Sequence, residues 1–422
     1  MKDITAILLL YDDPKVIQKT LASLNTINTR ISSILIFTET TIEHSIVAHH
    51  SNQVRLLSTE GDLGQALNRS IKNIHTSYIL FLQHTDYLSP HIQQETIQLP
   101  SHKTVLGTYN QHRHPLVFYP FLVRTSYIKK HSLMSSRELP FYEGLLPVWM
   151  SQIDRASTLF QPDLIKPFRQ KNHTNAMERQ RFIEKYQMSK KYTDSPTLSI
   201  VLSNYNMEKY VATAIRSCLL QTEQPDEICI MDDGSTDQSK QQIERFHDGR
   251  QIYVYAKSNE GKARALNDLL QCVSSDFIVE LDADDFLDPN AIEVMKEQLS
   301  TLTEDTAVLY GNMRRWKQIE GDLLIKRIEK GRPIHSKADL MAYRFPLGPR
   351  IYKTSCLRKE GGFPVIPFKD GRLYEDVSVL NRLIKKYQFK YYDFTVYNVR
   401  EHEKSITKKW KGNWKDFLKY LN

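Results

Sequence analysis

Short apolar runs alternate along this chain with segments whose apolar residues recur at every third or fourth position. Residues 5–11 form one such run and are followed by helical spacing over 16–23, and residues 199–205 and 211–217 show the same succession. Short apolar runs predict strands, and a period near 3.6 residues predicts helices. Because strands that alternate with helices indicate βαβ units, the sequence predicts an α/β fold with mostly parallel sheets flanked by helices.

The order of strand-like and helix-like segments in the first half of the chain is repeated in the second half. Residues 78–82, Tyr-Ile-Leu-Phe-Leu, correspond to residues 277–281, Phe-Ile-Val-Glu-Leu, and residues 86–90 correspond to 285–289. Further matches continue in the same order toward the end of each half. Such an ordered series is not expected by chance, and it predicts two copies of one α/β unit.

The repeat divides the chain into three predicted parts. Residues 1–155 form the first copy and residues 197–422 the second, with a linker over 156–196 between them. The linker is rich in Lys, Arg, Gln and Asn, and residues 175–190 contain few helix breakers. We therefore expect a charged linker that is helical in part.

Three carboxylates follow directly on the apolar strand at 277–281. Asp282, Asp284 and Asp285 stand within four positions. Burying a carboxylate costs several kcal/mol unless it is paired or bound to a metal ion, so the cluster predicts a cation. Hard oxygen ligands suit Mg²⁺ or Mn²⁺, with substrate phosphates completing the shell. The alternative is a solvated acidic turn.

The two copies differ at their polar positions. The second copy carries Asp-Asp-Gly-Ser-Thr-Asp at 232–237, where the first has Thr-Glu-Thr at 38–40. Asp282 and Asp284 correspond to Gln83 and Thr85, and Asp376 corresponds to Gly144. The apolar scaffold is kept in both copies while most carboxylates are kept in one. This difference predicts one working site and one degenerate site.

These motifs together resemble the nucleotide-binding half of the family-2 glycosyltransferases of the GT-A fold. The resemblance is carried by Asp-Asp-Gly-Ser at 232–235, Asn-Glu-Gly-Lys-Ala-Arg at 259–264, Asp-Ala-Asp at 282–284, Glu-Asp at 375–376 and Arg-Glu-His-Glu-Lys-Ser at 400–405. In the region at 259–264, the basic residue and the following Asn267 are shifted relative to the family pattern. The resemblance covers the second copy well and the first only weakly. It implies two Rossmann-like GT-A units, of which the first is degenerate.

The resemblance also assigns roles to residues of the second copy. Asp376 would be the catalytic base, and Asp284, Asp282 and His402 would hold a divalent Mn or Mg ion. The donor nucleotide sugar would contact Ser203, Tyr205, Glu208, Asp232, Asp233, Lys262, Arg264 and Asp282.

Each donor-side residue also has a simple physical interpretation. Ligands of open α/β sheets bind at the carboxyl ends of strands, and Tyr205, Asp232 and Asp282 all follow strands directly. Tyr205 can lie against a nucleobase or pack half-buried, and the Asp232–Asp233 pair can accept the uracil N3–H or form a plain turn. Lys262 and Arg264 can reach a diphosphate or form a solvated helix face.

Two further residues bear on the chemistry. Asp376 precedes a helical pattern over 377–384, where it can act as general base or serve as a carboxylate favoured by the helix dipole. One base opposite the leaving group implies in-line displacement with inversion at the anomeric carbon. His402 can contact metal or phosphate, although a lone histidine is more often structural.

Composition and charge restrict the partners. The 41% hydrophobic and 25% charged residues are those of a globular protein, and the net charge of +8 favours an anionic partner. Phosphorylated small molecules fit better than nucleic acid, whose binding motifs are absent from the sequence. Four cysteines without metal-ligand spacing indicate a reducing compartment. Without a signal-like or membrane-spanning apolar stretch, the expectation is a cytoplasmic protein, with association to a cell or spore surface layer left open.

The sequence therefore predicts an inverting, metal-dependent glycosyltransferase that moves a sugar from a nucleotide-diphosphate donor, a UDP-sugar, to a hydroxyl of a glycan or glycoconjugate. The alternative is a nucleotide-sugar or glycan-binding protein without turnover. A nucleotidyltransferase would carry a Gly-rich basic loop, and phospho-signalling leaves residues 282–285 unexplained. The first copy could dock an acceptor, form a homo-oligomer or support the second. Two-domain relatives of this kind occur in bacterial surface-polysaccharide pathways, including spore-coat glycosylation, and the resemblance permits that setting.

Overall fold

The computed structural model divides the chain into two compact units, unit 1 over Met1–Gln187 and unit 2 over Met188–Asn422. No helix in the described part of the chain is both long and apolar enough to cross a membrane. The structure describes residues 2–39, 53–93, 97–112, 114–168, 174–191, 196–319, 322–343, 346–403 and 414–420. Residues 404–405 of the C-terminal motif and most of the basic segment 408–415 lie outside this description.

Unit 1 is built from nine strands and five helices in the described residues. Its strands are β1 (Ile4–Leu9), β2 (Ile31–Thr38), β3 (Val54–Ser58), β4 (Tyr78–Gln83), β5 (Asp86–Leu88), β6 (Val105–Tyr109), β7 (Tyr119–Arg124), β8 (Thr158–Pro162) and β9 (Ile165–Pro167). Its helices are α1 (Pro14–Leu24), α2 (Leu63–Lys72), α3 (Thr125–Lys130), α4 (Leu145–Ser151) and α5 (Thr174–Lys185).

Unit 2 contains the remaining strands and helices of the described chain. Its strands are β10 (Leu198–Asn204), β11 (Ile228–Asp233), β12 (Ile252–Lys257), β13 (Phe277–Asp282), β14 (Phe286–Leu287), β15 (Thr306–Ile319), β16 (Asp322–Glu329), β17 (Ile351–Lys353) and β18 (Gln388–Glu401). Its helices are α6 (Val211–Leu219), α7 (Ser239–Glu244), α8 (Lys262–Cys272), α9 (Ala291–Leu299), α10 (Lys337–Met341), α11 (Thr354–Lys359), α12 (Glu375–Leu383) and α13 (Trp414–Leu418).

The two units order their main strands in the same way. The sheet of unit 1 runs β3-β2-β1-β4-β7-β6-β8, and that of unit 2 runs β12-β11-β10-β13-β17-β15-β18, with β14 added at the end and β16 pairing β15. In both sheets the first four strands are parallel to one another, and the fifth is antiparallel to both of its neighbours. The predicted fold class, two α/β units with largely parallel sheets flanked by helices, is confirmed.

The sheet of unit 2 has an apolar core on each face because successive side chains of a strand point to opposite sides. In β10, Ile200 and Leu202 belong to the core under α6 and α9, whereas Val201 belongs to the core under α8, α11 and α12. In β13, Val279 and Ile278 divide in the same way. A strand buried on both faces reads as a continuous apolar run, which is why this strand could be predicted from the sequence alone.

The segment 156–196, expected to be a charged linker, is built differently. Its first part forms β8, which pairs with β6, and β9, which pairs with β5. Its helix α5 buries Phe182 and Ile183, and Phe182 packs on Phe141 at a ring separation of 5.3 Å. Residues up to 187 therefore belong to unit 1. The two strands were missed because they are short, contain few apolar residues and each end in a proline, Pro162 or Pro167, so neither forms an apolar run.

Candidate active site

The turn after β11 is closed by the first carboxylate of the Asp-Asp-Gly-Ser motif. Asp232 is 2% exposed, accepts a hydrogen bond from Asn204 Nδ2 at 2.8 Å and accepts another from the backbone N–H of Ser235 at 3.0 Å. Gly234 has a φ of +72°, and a Cβ there would stand 2.6 Å from the backbone nitrogen of Asn259. The glycine is required both by the backbone conformation and by the closeness of the neighbouring loop.

The second carboxylate of the motif holds the loop that leads into α8. Asp233 accepts hydrogen bonds from the backbone N–H of Glu260 at 2.9 Å, from that of Gly261 at 2.8 Å and from Asn259 Nδ2 at 3.2 Å. With 3% exposure it lies beneath the loop. Asp232 and Asp233 thus join the ends of β10 and β11 to the start of α8.

The remaining donor-side residues surround these turns. The Tyr205 side chain is 46% exposed beyond the end of β10, and Ser203 stands beside Asp282 in the register of β10 and β13. Glu208 accepts the backbone N–H of Gln238 at 3.0 Å. Arg264 donates to Asp370 Oδ1 at 3.1 Å and to the backbone carbonyl of Glu260 at 2.8 Å. Tyr205 is therefore open to a ligand, while Arg264 is engaged with a neighbouring loop.

A buried ionic cluster lies where α8, β13, β17 and α12 meet. Lys262, the first residue of α8, contacts Asp282 and lies 2.7 Å from Glu280 Oε1 and 3.3 Å from Glu375 Oε1. Arg350 binds Glu280 through two hydrogen bonds of 2.9 and 3.0 Å. It also lies 3.7 Å from Asp282 Oδ2 and 3.7 Å from Asp376 Oδ2. We call these six residues the ionic cluster.

Charge pairing in the ionic cluster outweighs the cost of burial for the two cations. Burial lowers the pKa of Lys262, but the carboxylates of Asp282, Glu280 and Glu375 raise it well above its usual range. Burial raises the pKa of Glu280, and Arg350 and Lys262 bring it well below its usual range. Glu375 behaves differently, since burial dominates and its pKa is raised. Lys262, Arg350 and Glu280 are thus charged at neutral pH.

Asp284 and His402 form the candidate metal-binding pair. His402 is 4% exposed, and its Nε2 lies 2.9 Å from Asp284 Oδ2. Ligands in neighbouring positions of an octahedral Mg²⁺ or Mn²⁺ shell stand about 3 Å apart, given bonds of about 2.1 Å, so the pair fits such an ion. Within the described ranges, no three His, Cys, Asp or Glu side chains converge as a complete ligand set. Water or a ligand would have to supply the remaining oxygens.

The residues next to this pair are also buried. Asp285 is 4% exposed and accepts the backbone N–H of Arg400 at 2.8 Å. Burial, together with the carboxylates of Asp284 and Asp282, raises the pKa of Asp285 well above its usual range. The Arg400 guanidinium lies over the Tyr210 ring at 4.9 Å, and His402 lies against the same ring at 4.6 Å. Tyr210 therefore fixes the orientation of both side chains.

Asp376, a member of the ionic cluster, lies in the first turn of α12 and is partly open to solvent. Its side chain is 18% exposed, and Oδ1 accepts the backbone N–H of Val377 at 2.8 Å. The residue before the helix, Tyr374, has a φ of +60°, and Lys369 and Asp370 also have positive φ values. Non-glycine residues in this region are strained, and such strain is often found beside functional groups.

Two members of the ionic cluster, Glu280 and Arg350, were missed as site residues in the sequence. A signal was present for Glu280, because it interrupts an otherwise apolar strand and a buried carboxylate requires a cation. No local signal marks Arg350, which stands directly before β17 and is 7% exposed.

The matching positions of unit 1 carry no such cluster. The strand registers place Phe81 where unit 2 has Glu280, and Phe121 where it has Arg350. Leu63 begins α2 as Lys262 begins α8. All three are 5% exposed or less. Apolar packing thus replaces the charged side chains at these positions in unit 1.

Comparison with known proteins assigns the class. The profile described as Glycosyl transferase family 2 matches residues 199–345. The chain is 27% identical over 199 residues to glycosyltransferase GlyG of Streptococcus pneumoniae, a match over 44% of this chain and 65% of that protein. It is 33% identical over 183 residues to an uncharacterised glycosyltransferase of Haemophilus influenzae, over 43% of this chain and 71% of the relative.

A larger enzyme and a solved structure also match part of the chain. Chondroitin synthase of Escherichia coli is 34% identical over 104 residues, which are 24% of this chain and 15% of the synthase. The crystal structure of S. aureus TarS 1–349 in complex with UDP gives a TM-score of 0.38 at 20% identity, over 49% of this chain and 60% of that one. On the strength of the Haemophilus match, this chain belongs to glycosyltransferase family 2. The prediction of a glycosyltransferase is confirmed at the level of the family.

Proposed function

We propose that unit 2 is an inverting, metal-dependent glycosyltransferase that moves a sugar from a UDP-sugar to a hydroxyl of a glycan. The observation that carries the proposal is the gathering of four kinds of group in unit 2. An exposed aromatic ring, a metal-binding pair, a fixed cation and a partly exposed carboxylate are supplied by Tyr205, Asp284 with His402, Lys262 and Asp376. Ligands of α/β sheets bind at the carboxyl ends of strands.

On the donor side, the exposed Tyr205 ring would lie against the nucleobase. Asp232 and Asp233 hold the two adjoining turns, and each carboxylate oxygen has a second lone pair that can accept the N3–H of uracil. Lys262, held by three carboxylates, would face the diphosphate through its remaining exposure of 26%. Arg264, engaged with Asp370, would have to leave that partner to reach a phosphate.

Asp284 and His402 would hold the divalent ion, with Asp282 beside them. The ion would supply positive charge to the departing nucleoside diphosphate. Two protein ligands are enough, because Mg²⁺ in phosphate-binding sites often keeps waters and takes phosphate oxygens as ligands. His402 binds a metal only in its neutral form, so its Nε2 must carry no proton.

Asp376 would take the proton of the acceptor hydroxyl. Its side chain is 18% exposed, which leaves room for a second substrate, and its Oδ2 lies 3.7 Å from the Arg350 guanidinium. A single base facing the acceptor supports direct displacement, which inverts the configuration at the anomeric carbon. Unit 1 would be a copy without catalysis, since its matching positions hold apolar side chains.

The first test is calorimetric titration of the full chain with UDP, dTDP, GDP and CDP, each with and without Mn²⁺. We expect Mn²⁺-dependent binding of UDP that is lost in Asp284→Ala and kept in Asp370→Ala, a matched exposed carboxylate. The anomeric configuration of the product from an α-linked UDP-sugar, followed by NMR, tests inversion. A folded protein that binds none of the four nucleotides would contradict the donor assignment, and retention would contradict the role of Asp376.

A further inference from the structure

Unit 1 contains a cleft at the sheet edge that corresponds to the candidate active site of unit 2. An inner pocket of about 190 Å³ is lined by residues 83–86 after β4, by Tyr142 and Glu143, and by one side of α5. It adjoins an outer cavity of about 950 Å³, and Asn110 and Pro167 line both. Residues 142–143 stand just before the position that Asp376 occupies in unit 2. We call the two cavities together the unit-1 cleft.

The unit-1 cleft lies at one half of the edge formed by the strand ends, the half that would correspond to the acceptor side of unit 2. On the other half, Tyr11 at the end of β1 is fully buried, and its hydroxyl donates to the backbone carbonyl of Asp86 at 2.5 Å. The equivalent Tyr205 of unit 2 is 46% exposed. Phe81 and Phe121 fill the positions of the ionic cluster. At the described positions that correspond to Tyr205, Glu280 and Arg350 of unit 2, a nucleotide would therefore find neither an open aromatic ring nor a cation.

The lining of the inner pocket combines aromatic rings with side-chain amides. The Tyr142 side chain is 39% exposed, and its ring lies 5.5 Å from that of His84. Tyrosine rings offer an apolar face and a hydroxyl, and amides offer both a donor and an acceptor. Sugar rings present C–H faces and hydroxyl groups, which match this combination. The aromatic and amide residues are Tyr109, Tyr119, Tyr142, Gln83, Asn110 and Gln180.

The charges of the inner pocket disfavour an anion. Arg179 is 6% exposed and is paired with Glu143 at 2.9 Å, and Asp86 adds a second carboxylate. Within the described chain, Oε2 of Glu143 is buried and has no hydrogen-bond partner. The Glu143 side chain as a whole is 24% exposed, so a ligand hydroxyl can donate to the accessible part of its carboxylate. The pocket thus favours a neutral, hydroxyl-rich ligand over a phosphate.

We infer that unit 1 is a carbohydrate-binding unit. The inner pocket takes the terminal residue of a neutral oligosaccharide, with Tyr142 against the sugar ring and Glu143 accepting a sugar hydroxyl. The outer cavity takes the following residues of the chain. This binding needs no nucleotide and no metal, and it does not depend on catalysis by unit 2.

The test is binding of the full chain to an array of neutral oligosaccharides, followed by titration calorimetry with the best-bound tetrasaccharide in EDTA. We expect binding that weakens by about tenfold or more in Tyr142→Ala and in Glu143→Gln. Tyr205→Ala, an exposed tyrosine of unit 2, is the matched control and should bind the tetrasaccharide as the wild type does. Saturating UDP with Mn²⁺ should not displace the sugar.

Three results would overturn the inference. The first is a folded protein that binds no neutral oligosaccharide on the array. The second is binding that is lost in Tyr205→Ala and kept in Tyr142→Ala, since the sugar would then lie in unit 2. The third is displacement of the sugar by UDP. Failure of nucleotide binding leaves this inference standing, so the two proposals are tested separately.

Discussion

The proposed sugar transfer depends on the carboxylate of Asp376 as the general base. Replacing it with Asn keeps the size and the hydrogen bond to Val377 N–H but removes the base. We expect kcat to fall by about a hundredfold to ten-thousandfold, while the affinity for UDP is unchanged. Steady-state kinetics and calorimetry on the same preparation measure both. Asp370→Asn changes a 66% exposed carboxylate of the same loop and serves as the control. Unchanged turnover in Asp376→Asn would remove this residue from the mechanism.

Asp237 holds the donor-side loops through the hydrogen bonds that its carboxylate accepts. Its contribution to the stability of the fold should therefore depend on pH. Burial raises its pKa, but the hydrogen bonds it accepts from Ser239 and from the backbone N–H of Glu208 bring the pKa below its usual value. Those from the backbone N–H groups of Ser239 and Glu208 are 2.9 and 3.1 Å long. A depressed pKa stabilises the fold above the unfolded value of about 3.9, and this contribution is lost as the pH falls.

We therefore expect Asp237→Asn to lower the Tm at pH 7, and to have a smaller effect as the pH falls through the pKa of Asp237 in the folded protein, which lies below the usual value. Scanning calorimetry of both proteins between pH 3 and pH 7 measures the difference. A difference in Tm that stays constant over this range would mean that the charge of Asp237 does not stabilise the fold.

At the scale of elements, unit 1 supplies a natural replacement for part of the ionic cluster. Breaking a buried ion pair by removing one partner costs about 3–5 kcal/mol, whereas replacing both partners with packed apolar residues is often neutral. Arg350→Phe alone should therefore destabilise unit 2 by about 3–5 kcal/mol. The double change Glu280→Phe with Arg350→Phe, which copies Phe81 and Phe121, should recover most of that loss.

Calorimetric unfolding measures the stability of the single and double variants. The unit-1 variant Phe121→Leu is the control for changes confined to unit 1. The double variant should be folded and inactive, because Asp376 loses its neighbouring cation. If the double variant were no more stable than Arg350→Phe, the apolar pair of unit 1 could not be regarded as an equivalent of the ion pair.

Helix α13 packs on the strained loop that precedes Asp376. The Phe417 ring is fully buried and lies 4.5 Å from the Tyr374 ring and 5.9 Å from that of Phe368. Lys369, Asp370 and Tyr374 hold positive φ values in this loop. Surrounding contacts must maintain such conformations, since each costs about 1–3 kcal/mol. The aromatic packing therefore fixes the position of Asp376.

Phe417→Ala should loosen this loop without affecting the donor side. We expect a lower kcat, unchanged UDP affinity, and faster hydrogen exchange over residues 368–376. Tyr420→Ala removes a 49% exposed ring from the same cluster and should have a smaller effect. Unchanged exchange in Phe417→Ala would show that the loop holds its conformation by itself.

An element could be predicted from the sequence where neighbouring residues determine it. It could not be predicted where it depends on contacts between residues that are distant in sequence. The strands at 198–204 and 277–282 are mostly apolar, and the Asp-Asp-Gly-Ser turn contains its own glycine, so both could be found from the sequence. Arg350 could not, because its partners are distant in sequence. Glu280 meets it through the pairing of β13 with β17, and Asp376 reaches it from the first turn of α12. The burial of Tyr11 against β5 is another such non-local contact, and it decides whether a ring is open to a ligand.

At the scale of the whole molecule, the two units share one strand order but expose different halves of the same sheet edge. Unit 2 has an open aromatic ring and a charged cluster, whereas unit 1 buries the ring and keeps a cleft. Such a division suits a protein in which one unit transfers sugar and the other holds a glycan. The net charge of +8 then agrees with an anionic donor bound at unit 2.

The described contacts of the candidate active site stay within residues 197–420, and unit 2 has cores on both faces of its sheet. A chain of residues 188–422 should therefore bind UDP with Mn²⁺ as tightly as the full chain does, and should no longer bind the oligosaccharide. The cut is placed at 188 because β8, β9 and α5 belong to unit 1. Calorimetry measures both ligands, with circular dichroism and a monodisperse elution profile as controls for folding. A folded fragment that fails to bind UDP would mean that unit 1 contributes to the donor site, and one that still binds the oligosaccharide would place the glycan in unit 2.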